Sequence, residues 1–102
     1  MHKIIAAAIL VSLAPAANAS PVCNALSELA ESVMQARQAG ADMSDMYQSA
    51  SEGESEKINN IHRQLVRMAF SIPAYNTPEF KDREIRDFKN KAFATCVKAR
   101  NE

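Results

Sequence analysis

Cys23 and Cys96 are the two cysteines of this 102-residue sequence, and a cysteine can serve as a nucleophile, a lipid attachment point or half of a disulfide. A nucleophilic thiolate needs a base beside it. His62 is the one histidine after residue 2, and no catalytic motif surrounds either cysteine. The pair forms neither a CxxC motif nor a metal-ligand spacing. Lipidation requires small residues directly ahead of the cysteine, and Ser20, rigid Pro21 and branched Val22 fit that poorly. Two cysteines in a small exported domain favour a single Cys23–Cys96 disulfide.

Other side chains with chemical potential have simpler readings. His62 lies beside an apolar stripe between Ile61 and Arg63 and reads as a boundary residue, with no second histidine after residue 2 to share a metal. Met43 and Met46 offer two thioethers, which serve core packing more readily than Cu(I). Glu52, Glu54 and Glu56 alternate in a polar stretch without the ligand spacing of a calcium loop. No metal site, cofactor or catalytic residue is expected, and the chain reads as non-enzymatic. Tyr75 and Phe80 flank Asn-Thr-Pro in a connection with two prolines. They are the candidate partner-binding residues, either a lid closing one end of the fold or an exposed anchor.

The compartment follows from the first residues. His2 and Lys3 precede the apolar run Ile4 to Ala14, and Ala17 and Ala19 flank Asn18. This is the pattern of a cleaved signal peptide over residues 1–19, with cleavage after Ala19 and a periplasmic destination. The apolar run is shorter than the roughly 20 residues of a membrane span. Residues 20–102 are then one domain, small enough that its core alone gives marginal stability. A disulfide closing a loop of about 74 residues should add about 4.4 kcal/mol by the chain-entropy argument.

The net charge of zero hides an uneven distribution. Residues 20–56 carry seven acids and one base, whereas residues 57–102 carry ten bases and five acids. The halves either neutralise each other when packed or leave a dipolar surface that steers a charged partner. Acids interleave the basic half, as in KDREIRDFKNK, so the clustered stripe that nucleic acid requires is absent.

Four helical segments must position these residues. Ser20 and Pro21 suit a helix start and Gly40 a stop, with Arg37 in the last turn and Cys23, Leu26, Ala30, Val33 and Met34 on one face. Ser44 can cap a short helix carrying Met46, Tyr47 and Ala50, followed by a polar stretch around Gly53 that reads as a mobile loop. Ser55 caps a third segment with a stripe of Ile58, Ile61, Leu65, Met68, Ala69 and Ile72, ended by Pro73. A last helix is expected over 82–98, with Ile85, Phe88, Ala92, Phe93 and Cys96 inward. No segment alternates at period two long enough for a strand. In an up-down bundle Cys23 and Cys96 meet only if the number of helices is even. The expected fold is all-α, a small four-helix bundle with one helix short, stapled by one disulfide.

Cys23 together with LSELAESVMQARQAG (26–40), MSDM (43–46), AYNTPEF (74–80) and REIRDFKNKAFATC (83–96) resembles a group of small exported two-cysteine proteins of proteobacteria, prophages and phages. The resemblance implies an exported bacterial or phage setting and brings no catalytic residues. The functional expectation is a periplasmic module that binds another protein or an envelope component. The alternative is an acid-stress chaperone, similar to the small helical one-disulfide chaperones of the enterobacterial periplasm.

Overall fold

The computed structural model describes residues 21–102. The signal-peptide segment, its cleavage site after Ala19 and the Ser20 cap lie outside the described residues. Four helices follow one another: α1 Pro21–Gln38, α2 Met43–Ala50, α3 Glu56–Ala69 and α4 Pro78–Ala99. The described residues contain no strand, and the all-α four-helix fold with a short second helix is the one expected.

Local chemistry explains most of the boundaries. Gly40 adopts φ +95°, and the amides of Gly40 and Ala41 donate to the carbonyls of Arg37 and Ala36, a Schellman ending that satisfies the last carbonyls of α1. Asn101 does the same for α4 at φ +59°, with the amides of Asn101 and Glu102 donating to Lys98 and Val97. The Ser55 hydroxyl accepts from the Ile58 amide at the start of α3, as expected.

Two starts differ from the sequence reading. The residue preceding α2 is Asp42, with no side-chain cap, and Ser44 lies inside the helix. The last helix begins at Pro78, four residues before the expected Asp82, because Thr77 accepts from the Phe80 amide and Pro78 occupies the first turn, where its missing N–H costs nothing.

The helix α1 is the centre of the molecule, packing against α4 and α3, while α2 packs against α3. Cys23 at the start of α1 is bonded to Cys96 near the end of α4, with Cα atoms 5.5 Å apart. At the other end Lys81 Nζ donates to the Gln38 carbonyl. The two helices are therefore antiparallel neighbours, as an even helix count requires. Glu31 and Lys89 form an ion pair across them at 3.3 Å. Ala30, Val33 and Met34 of α1 meet Leu65, Val66 and Ala69 of α3, and Ala50 and Phe88 complete the core. Among the described residues the largest side chains sealed completely from solvent are Met34, Val66 and Cys23, so this core is small and the staple adds to it.

Polar side chains fix the connections. Gln38, 3% exposed, donates to the Pro73 carbonyl at 2.8 Å and accepts from the Tyr75 amide at 2.8 Å. Arg37 does more than complement the helix dipole: its Nε donates to the Ile72 carbonyl at 3.0 Å and its guanidinium lies 4.5 Å from the Phe70 ring centre. The polar stretch around Gly53, read from sequence as mobile, is tied down. Buried Asn59 donates to the carbonyls of Ser51 and Gly53, and Arg63 reaches Ser51, Glu56 and Asn60. A Cβ on residue 53 would sit 2.5 Å from the Asn59 amide oxygen, so glycine permits this close approach.

Candidate functional site

The expected apolar stripe of α3 is real but does not all enter the core. Val66 and Ala69 are sealed, Leu65 is 6% exposed, yet Ile58 is 51% exposed and Met68 38%. Two apolar stripes run side by side along α3. One faces α1, and the other, through Ile61, Leu65 and Met68, forms the wall of a groove. The opposite wall is α4, with Phe88, Ala92, Thr95 and Ala99, and Leu26 and Cys96 also border the space.

This groove exists because α3 and α4 both pack on α1 and meet each other little. The short α2 lies on the far flank of α3, where Asp45, Met46 and Ser49 face Leu29, Val33 and Ala36 of α1. One flank of α3 is thereby partly covered, with a shallow space left beside it, and the flank towards α4 stays open as an apolar groove. The open space is about 280 Å³, nearly twice the roughly 150 Å³ of an apolar cavity that holds benzene. Its polar border consists of Gln64, Lys91 and Arg100, and no carboxylate lines it. Lys91 makes no ion pair or hydrogen bond among the described residues, whereas Arg100 holds Glu102 at 2.6 Å.

Tyr75 and Phe80, the residues singled out in the sequence, lie elsewhere. Tyr75 is half-buried in the connection before α4, and Phe80, 43% exposed, belongs to the first turn of α4 and not to the connection. Their ring centres are 5.8 Å apart, and Arg83 stacks over Phe80 at 4.5 Å. Neither ring belongs to the core cluster or packs against it. They make an aromatic corner held by Gln38 at the end of the molecule remote from the disulfide.

His62 shares a shallow space with Asp45, Ser32 and Ser49, a grouping invisible in the sequence. No hydrogen bond joins these four side chains among the described residues. Burial pushes the His62 pKa below its usual value. Met46 packs against the core, as anticipated, while Met43 is 41% exposed. Phe93, expected inward, is half-buried and outside the core cluster. Among the described residues no three His, Cys, Asp or Glu side chains gather closely enough to hold a metal. No helix there is long and apolar enough to cross a membrane.

No protein-family model, curated protein or solved structure matches the chain.

The sequence reading missed the groove. The signal for it was present in Ile61, Leu65 and Met68, which give α3 more apolar surface than one small core consumes. Val66, one position beyond the expected stripe, was the other half of that signal.

Proposed function

We propose that this chain is an exported, non-enzymatic module that works in the periplasm by binding another protein or an envelope component. The observation that carries the proposal is the open apolar groove between α3 and α4. A concave apolar space bordered by a few polar groups is where a folded domain takes up a partner or ligand. The disulfide joining α1 to α4 suits an oxidising compartment and holds the floor and one wall of the groove in register.

The test is capture from envelope extract at neutral pH, with mass spectrometry of what is retained, comparing the protein with its Thr95→Trp variant. Thr95 is exposed on the groove wall, so the indole should fill the groove without disturbing the core. A defined component retained by the protein and lost from the variant is expected. Retention of nothing by either protein, together with suppression of client aggregation confined to pH 2–3, would replace this reading with the acid-stress chaperone.

A further inference from the structure

We infer that the groove between α3 and α4 seats one amphipathic helix of a partner protein, whose apolar stripe is flanked by a carboxylate that meets Lys91. The inference rests on the binding-module reading and names the chemistry of the partner.

The shape of the walls argues for a helix. On α4, Phe88, Ala92, Thr95 and Ala99 follow one another at spacings of four, three and four residues. On α3, Ile61, Leu65 and Met68 are spaced by four and three. Each set forms a ridge, and the trough between two helical ridges accepts the i, i+3, i+4 and i+7 side chains of a third helix. At 1.5 Å per residue the α4 wall runs about 18 Å from Phe88 to Arg100 and the α3 wall about 10 Å from Ile61 to Met68, so the trough faces two to three turns of a guest helix. Ala92, Thr95 and Ala99 are small enough for a close approach, and the flexible Met68 on the opposite wall can repack around an incoming side chain.

The exposure of the groove argues the same way. Gln64, Met68, Lys91, Thr95 and Ala99 are all exposed, so the trough is open along its outer side. An acyl chain or other small ligand needs most of its surface enclosed, whereas a helix lays down one face and keeps the other in water.

Charge then selects among helices. The border carries Lys91 and Arg100, and no carboxylate of the described residues lines it. Lys89, on the neighbouring side of α4, is engaged by Glu31, but Lys91 is unengaged among the described residues. Arg100 is already held by the Glu102 carboxylate, so the charge preference rests on Lys91. Acidic flanks on the partner helix would be attracted and basic flanks repelled.

The experiment titrates the disulfide-bonded protein with two synthetic 14-residue helical peptides that share one leucine stripe, one flanked by glutamates and the other by lysines. Binding is followed by backbone amide NMR shifts at low and high salt, with dodecanoate as a third probe. The glutamate peptide should shift amides along 61–68 and 88–100 and bind at least about fivefold more tightly than the lysine peptide, a preference that salt reduces. Thr95→Trp and Met68→Asp, on opposite walls, should each abolish the shifts, and Lys91→Glu should remove the preference for glutamate. Arg86→Glu, the same charge change on an exposed position of α4 outside the groove, should leave binding unaltered. Equal binding of the two peptides, binding by neither, dodecanoate binding alone, or shifts that survive Thr95→Trp would each overturn the inference. In the capture experiment, a component retained by both the protein and Thr95→Trp would leave the binding-module reading standing while removing the groove from it.

Discussion

Replacing Gln38 with alanine would strip the Pro73 carbonyl and the Tyr75 amide of their shared partner at the end of α1. Loss of two hydrogen bonds at a side chain this buried should lower stability by about 2 kcal/mol, measured by urea unfolding, and should also loosen the aromatic corner of Tyr75 and Phe80. His62 makes a different prediction. Because burial depresses its pKa in the fold, the neutral imidazole is the form the fold prefers. Its stabilising contribution is complete above the unfolded value of about 6.5 and is lost as the pH falls through the depressed folded value. Urea unfolding at pH 7.5 and pH 5 should therefore show the protein losing more stability on acidification than His62→Gln does. Glu56 also has a lowered pKa, held there first by its hydrogen bond from Arg63, then by Asn59 and the Arg63 charge. Its contribution is present above the usual carboxylate range and disappears only in stronger acid, so the two windows separate.

At the scale of the element, α3 carries two jobs on adjacent faces. Val66, sealed against α1, should cost about 2 kcal/mol when truncated to alanine, since a cavity is left where two methyl groups were packed. Met68, two residues on and 38% exposed on the groove wall, should cost less than about 0.5 kcal/mol on the same change. Paired urea curves of the two variants check the division. Similar losses for both would place Met68 in the core and deny the groove its α3 wall.

For the whole molecule, the Cys23–Cys96 bond sets the level of stability. It closes nearly all of the described chain into one loop, with a sequence separation of 73, across a core with few large sealed side chains. Reduction should remove about 4 kcal/mol, a large fraction of what a domain of this size possesses. That corresponds to a fall in Tm of roughly 20 °C, read by circular dichroism with and without reductant. A Tm unaffected by reduction would mean that helix packing alone holds α1 to α4.

How much of this was legible in the sequence depended on the range of the interaction concerned. Helix type and most boundaries are local properties: Gly40 ends α1 and Ser55 begins α3 through contacts within a few residues, and the pattern around them shows it. The disulfide was also readable, because two cysteines and an even helix count leave one arrangement. The start of α4 was missed although its signal, Thr77 followed by Pro78, is local; two prolines and two aromatics disguised a helix cap as a loop. The sealed polar clamps at Gln38 and Asn59 could not be foreseen, since their partners are carbonyls and amides, which every residue carries and no sequence pattern marks. The groove lay furthest from view. A stripe of isoleucine, leucine and methionine states how much apolar surface a helix offers, but whether that surface is covered depends on where the other helices lie. Only the tertiary structure decides that α2, too short to span α3, covers part of one flank, while α4, drawn to α1 by the disulfide, leaves the other flank open.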